Sequence, residues 1–194
     1  MKRLSLMLIA VFALTLTNSC KNDKKEITVE ETRDEMPMAT KAPEVKKLEI
    51  ALEPKSNSKV KGSAVFTEQD GVVTMVTVLI GMTPGEHAIH LHEKADCSAA
   101  DGTSTGGHWN PTKQPHGKWG SAEGYHKGDI GNLTADANGN GTITFSTDEW
   151  CIGCDDVNKN IIGKAVIVHQ DVDDFKTQPT GNAGGRVSCG GIIQ

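Results

Sequence analysis

Aromatic residues are scarce in this chain: one Tyr, three Trp and four Phe, 4% of 194 positions. With 21 glycines beside them, that scarcity weighs against a large helical core and favours a turn-rich all-β chain. Basic charge is not in excess either. There are 20 Lys and Arg against 25 Asp and Glu, a net charge of -5, so the chain lacks the positive face of a nucleic-acid binder. The apolar stretch Leu4 to Leu16 is too short for a comfortable membrane span. Cysteine is sparse and odd in number, five in all, and in an exported chain pairing would leave one thiol over. The length suits one domain plus appendages.

The first twenty residues address the odd cysteine. Lys2 and Arg3 form a positive start, Leu4 to Leu16 an apolar centre, and Thr17, Asn18 and Ser19 lead into Cys20. This resembles a bacterial lipoprotein signal, although Thr17 stands where an aliphatic residue is usual. The resemblance implies a signal peptide over 1–19 and lipidation of Cys20 as the first mature residue. An ordinary secretory signal with an incidental cysteine remains open. Both readings take the chain out of the cytosol to a compartment where disulfides persist, and the resemblance implies the bacterial cell envelope, periplasmic or anchored at the outer membrane. Past Cys20, residues 21–47 hold seven basic and seven acidic side chains with Pro37 and Pro43. Such a segment buries too little surface to offset its ordering entropy, so 20–47 reads as a lipidated cysteine and flexible charged tether.

The folded domain is expected over 48–194. Leu48 to Glu53 alternates apolar and polar residues as a half-buried strand does. Val60–Phe66 and Val72–Ile80 follow, joined by Glu68-Gln69-Asp70-Gly71. Later candidate strands are His87–His92, Gly131–Ala135, Thr142–Ser146, Lys164–His169 and Arg186–Cys189, separated by turn signals such as Asn138-Gly139-Asn140-Gly141. Eight short strands without a long helix predict an eight-stranded Greek-key flattened barrel or immunoglobulin-like β-sandwich. Two intervals, 93–127 and 170–185, show no strand pattern, and loops of that length are usually functional or disordered.

Histidine is absent from the first 86 residues, and all seven lie between His87 and His169. On a strand, His90 and His92 project from one face and converge on one point. His169 ends the apolar run Ala165-Val166-Ile167-Val168, where a neighbouring strand would bring it to the same place. The first long loop adds His108, His116, His126 and Asp129. Spaced histidines closed by His-x-x-Asp suit a nitrogen/oxygen site such as zinc, whereas four imidazoles without a thioether suit tetragonal copper(II). Any one of these histidines alone reads better as a satisfied polar residue; their concentration on two loops and the flanking strands is the signal.

These residues resemble the copper–zinc superoxide dismutases, in particular the bacterial exported type. The likeness is carried by Gly85-Glu86-His87-Ala88-Ile89-His90-Leu91-His92, by Gly107-His108-Trp109-Asn110-Pro111, and by His116-Gly117 and His126-Lys127-Gly128-Asp129-Ile130-Gly131-Asn132. It continues through Val166-Ile167-Val168-His169 and Gly181-Asn182-Ala183-Gly184-Gly185-Arg186-Val187-Ser188-Cys189, in order and from about residue 48 to the C-terminus. The resemblance implies copper on His90, His92, His108 and His169, and zinc on His108, His116, His126 and Asp129. His108 would then bridge both metals, as an imidazolate can. It also implies that His87 packs behind the copper site and that Asp173 links a copper-side to a zinc-side histidine. By spacing alone, Asp173 is one carboxylate of an acidic loop. Catalysis is implied at His108 and Arg186: superoxide is disproportionated to oxygen and hydrogen peroxide, with copper changing oxidation state and zinc holding the frame. A non-catalytic copper-binding or copper-delivery module on the same fold is the competing class.

The resemblance further implies a Cys97–Cys189 disulfide. Cys151 and Cys154 depart from the family pattern, and a local disulfide, a redox-active pair or a soft metal site all fit them. No second Cys-x-x-Cys is present to complete a zinc ribbon. The expected partners are superoxide and, through the lipid alone, a membrane; no nucleic acid is expected, and the chain is a monomer or homodimer. Residues 48–194 carry 11 Lys and Arg against 18 Asp and Glu, a net charge of -7. An anionic substrate is repelled by that total, so local charge at Arg186, with Lys118 or Lys176 as further candidates, has to do the steering.

Overall fold

The computed structural model describes residues 44–194; the expected signal peptide, Cys20 and the expected tether up to residue 43 lie outside the described residues. Eight antiparallel strands close into a barrel, as the alternation pattern predicts. They are β1 (Lys46–Pro54), β2 (Lys61–Gln69), β3 (Val72–Ile80), β4 (Gly85–His92), β5 (Asp129–Ala135), β6 (Gly141–Thr147), β7 (Ala165–His169) and β8 (Arg186–Gly191). The spatial order is β1-β2-β3-β6-β5-β4-β7-β8, with β8 pairing back to β1. Closure leaves no free sheet edge.

Strand β1 takes in the last two residues of the expected tether. Lys46 and Lys47 pair with Glu68 and Thr67, and the Lys46 ammonium lies 3.5 Å from the Glu68 carboxylate, so charged residues extend the ladder. Along β3, Val73, Met75, Thr77 and Leu79 point into the barrel and are fully buried, while Val72, Val76, Val78 and Ile80 face outward. Ile50, Leu52, Phe66, Ile89, Leu91, Val166 and Val168 complete the same core. Each such side chain contributes about 1.5–3 kcal/mol on burial.

A third excursion, residues 148–164, joins β6 to β7. Its composition hid it, because Trp150, Ile152 and Ile161 are apolar and sit in the core like strand residues.

Strand β4 is what the fold offers to function. Paired on both sides, by β5 and by β7, it is buried on both faces from His87 onward. Ile89 and Leu91 fill the barrel. Ala88, His90 and His92 alternate to the outer face, where the long loops cover them. Two register shifts then bring chemistry to that face. In β5 one residue, Ile130, is extra, so Asp129 stands opposite His90. In β8 the extra residue is Val187, so Arg186 stands opposite His169. Bulges re-aim side chains in this way beside active sites.

Candidate metal centre

Four imidazoles, those of His90, His92, His108 and His169, gather beside β4, with ligand atoms within 4.8 Å of one another. All four are buried. Hydrogen bonds decide which nitrogen each ring turns inward. His90 Nε2 donates to Asp173 Oδ2 at 2.8 Å and leaves Nδ1 free. His92 Nδ1 donates to the Gly106 carbonyl at 2.9 Å, which leaves Nε2. His169 Nδ1 faces the Gly184 carbonyl at 3.4 Å, and its Nε2 lies 3.4 Å from His92 Nε2. Burial pushes His92 and His169 well below the usual imidazole range and His108 down to about 4. These rings therefore keep their lone pairs at neutral pH, the state a metal needs.

His108, His116, His126 and Asp129 form a second buried group that shares His108 with the first. Asp129 organises it. Its Oδ1 accepts from His108 Nδ1 at 2.9 Å, and its Oδ2 accepts from the backbone N–H of Gly117 at 3.1 Å and of His126 at 2.8 Å. Burial works to raise the Asp129 pKa, but the imidazoles of His108, His116 and His126 hold it far below the carboxylate range. Burial likewise works to lower His116, and the carboxylates of Asp129 and Asp173 overcome it, raising the ring to about 9.

Asp173 spans both groups from behind, with Oδ2 on His90 and Oδ1 on His116 Nε2 at 2.9 Å. Its own position is set by Asn132 on β5, which accepts from the Asp173 N–H at 2.8 Å and donates to the Asp173 carbonyl at 2.9 Å. His87 lies behind the first group, its Nδ1 2.9 Å from the His169 carbonyl and its Nε2 2.8 Å from the Thr83 carbonyl. All seven histidines thus converge on one region, six in the two groups and one supporting them.

Half-buried Arg186 is strapped to the first long loop. Its guanidinium donates to the Gly102 carbonyl at 2.7 Å, to Thr105 Oγ1 at 2.8 Å and to the Gly106 carbonyl at 2.8 Å. The same loop is tied to β8 by the Cys97–Cys189 disulfide, three residues beyond Arg186. Cys151 and Cys154 are joined as a local disulfide. Both bridges are compatible with an extracytoplasmic compartment. Lys118 and Lys176 are exposed.

Sequence reasoning missed Gln178. Its side-chain amide accepts from the His116 N–H and donates to the His116 carbonyl, both at 2.8 Å, so the second long loop clamps the first. Nothing in the local pattern marks it, because a glutamine between Thr177 and Pro179 reads as solvated loop. Asn132 had a weak signal, being a polar residue in the strand that follows Asp129.

The donor set fits metal ions. His90 Nδ1 and His108 Nε2 are buried without hydrogen-bond partners, a costly condition for polar atoms unless a ligand occupies them, while His116 Nδ1 and His126 Nδ1 lie 3.0 Å and 3.2 Å from the Asp129 carboxylate without hydrogen-bond geometry. Four imidazoles match tetragonal copper(II); three imidazoles and a carboxylate match tetrahedral zinc.

Comparison with known proteins agrees with this geometry. The family model described as copper/zinc superoxide dismutase matches residues 60–192. Solved structures of a SOD-like protein from Bacillus subtilis align with the fold. The protein itself is 28% identical with a TM-score of 0.67, and its mutant with one proline replaced by histidine gives the same values. A double mutant with a tyrosine and that proline both replaced by histidine is 30% identical with a TM-score of 0.68. Each alignment covers 75% of this chain and 97% of the other.

Proposed function

Because this chain belongs to the copper/zinc superoxide dismutase family, we propose that it disproportionates superoxide. Two superoxide anions and two protons become one oxygen and one hydrogen peroxide, and a single electron passes between the two substrates. In this reading His90, His92, His108 and His169 hold copper, and His108, His116, His126 and Asp129 hold zinc. Bound copper supplies the one-electron chemistry, and bound zinc supplies fixed positive charge.

The observation that carries the reading is His108, whose Nδ1 faces Asp129 while its Nε2 is buried and unpaired beside the first group. One ring therefore belongs to both groups, and its Nε2 is the atom that takes up one proton and delivers it; the second comes from water. Arg186 docks the anion. Three of its N–H groups are spent on the loop, and the rest have no partner among the described residues. Asp173 and Gly106 orient the surrounding rings and His87 holds the His169 backbone, so that little reorganisation accompanies the reaction. Lipidation at Cys20 and residence in the bacterial cell envelope complete the reading, with the domain over 48–194 standing off the membrane on its tether.

The second reading, a non-catalytic copper-binding or copper-delivery module, is weakened by the complete donor set and by Arg186. Superoxide decay measured on copper- and zinc-loaded wild type, His169→Ala and Arg186→Ala separates the two. Loss of copper and rate is expected for His169→Ala. For Arg186→Ala, retained copper with a rate about tenfold lower is expected, the scale of local steering. A full rate in Arg186→Ala at low salt contradicts the docking role.

A further inference from the structure

In a chain with so few aromatics, four of them meet in one place. Trp119 and Tyr125 lie on the loop between His116 and His126, and they pack on Phe145 of β6 and Trp150 just beyond it. Trp119 is 4.8 Å from Tyr125 and from Phe145 between ring centroids, and Phe145 is 5.0 Å from Trp150. Beside this cluster the residues flanking His126 are both held by one carboxylate. Tyr125 Oη donates to Glu149 Oε1 at 2.5 Å, and the Lys127 ammonium pairs with Glu149 Oε2. Trp150 Nε1 donates to the Lys127 carbonyl at 2.8 Å.

The segment that carries Glu149 and Trp150 is itself pinned. Cys151 bonds Cys154 immediately downstream. Between them, the Ile152 N–H donates to Glu68 Oε2 on β2 at 2.8 Å, and the Ile152 carbonyl accepts from Lys46 on β1 at 2.9 Å. The Cys154 carbonyl accepts from Asn160 at 2.8 Å. Among the described residues no hydrogen bond or ion pair joins the Glu149 side chain or this disulfide to a metal-group residue.

We propose that Glu149 and Trp150 are positioning residues for His126, and that the Cys151–Cys154 disulfide locks the bracket they form, so that metal retention in the second group depends on it. His126 opens a turn closed by the Asp129 N–H, which donates to the His126 carbonyl at 3.1 Å, so fixing Tyr125 and Lys127 on either side of His126 fixes the backbone from which its ring projects. Holding Tyr125 and Lys127 against the bracket thus turns His126 toward Asp129, whose Oδ1 lies 3.2 Å from His126 Nδ1. Apart from the bracket, the hydrogen bonds and ion pair that hold His126 among the described residues all go to Asp129. Among the described residues no hydrogen bond joins the bracket to His90, His92 or His169, and the shared His108 is held by Asp129, so the effect falls on the metal of the second group. This inference rests on the reading that the second group holds zinc.

The test is metal release from the full copper- and zinc-loaded chain to a chromogenic chelator, with each metal followed separately. Glu149→Ala, the milder Glu149→Gln and the double variant Cys151→Ser/Cys154→Ser are compared with wild type. Outer-shell losses cost about 10–100-fold in metal affinity. Zinc release is therefore expected to quicken by about tenfold or more in Glu149→Ala and in the double variant, and less in Glu149→Gln, with copper release at the wild-type rate. Cobalt(II) placed in the second group should show an altered visible spectrum in the same variants. Unchanged zinc release in all three variants overturns the bracket while leaving the zinc site standing. Equal loosening of copper and zinc also overturns it, because that marks general destabilisation. A wild-type chain that takes up no zinc in the second group removes both the inference and the reading beneath it.

Discussion

One carbonyl serves two functional side chains: Gly106 accepts from His92 Nδ1 and from the Arg186 guanidinium. The tautomer of a first-group ring and the placement of the proposed anion-docking cation are therefore coupled through a single backbone atom. Gly181 shows the same economy by exclusion. At φ +67 it lies against Asp173 Oδ1 and His116 Nε2, and a methyl there would overlap both. Gly181→Ala is expected to weaken retention of both metals by about 10–100-fold, since Asp173 orients one ring in each group; competitive chelator titration measures it. His116 carries the residue-scale pH dependence. Its folded pKa of about 9 exceeds the ordinary 6.5, so protonation of the metal-free ring stabilises the fold fully below pH 6.5. That contribution fades as pH rises through about 9. A metal has to displace the proton, so zinc affinity of the metal-free chain should rise about tenfold per pH unit and level off near pH 9. Affinity independent of pH across that window contradicts the assignment.

At the scale of elements, two strands each carry one residue too many. Ile130 in β5 and Val187 in β8 shift the register so that Asp129 faces His90 and Arg186 faces His169. The eight strands were legible from alternation, and the histidine pair on β4 from its i, i+2 spacing. The bulges were not. Gly131, at φ +126, is a faint mark of the first, because glycine inside a strand pattern points to a bulge. Nothing in Arg186-Val187-Ser188 marks the second, since the extra valine is an ordinary strand residue. The 148–164 excursion was hidden for the same reason, its core residues being those a strand would use. The Cys97–Cys189 bridge acts at this scale too, joining loop and strand 92 positions apart beside the Arg186 straps. Replacing both cysteines by serine should lower stability by about 2–5 kcal/mol in urea unfolding.

For the whole molecule the problem is charge. Residues 48–194 total -7, yet the proposed substrate is an anion. Beyond about 8 Å at physiological salt most of that repulsion is screened, which leaves local cations in control of the encounter. Rising salt should therefore slow the wild type, and the salt slope of Arg186→Gln should shift toward acceleration. Equal slopes in the two proteins would place the steering elsewhere. The central claim is that the two histidine groups make one catalyst rather than a metal store. Superoxide decay followed against bound copper in the zinc-loaded full chain tests it most directly. Decay that is catalytic and proportional to bound copper is the predicted result; tight stoichiometric copper binding with no acceleration of decay would contradict it.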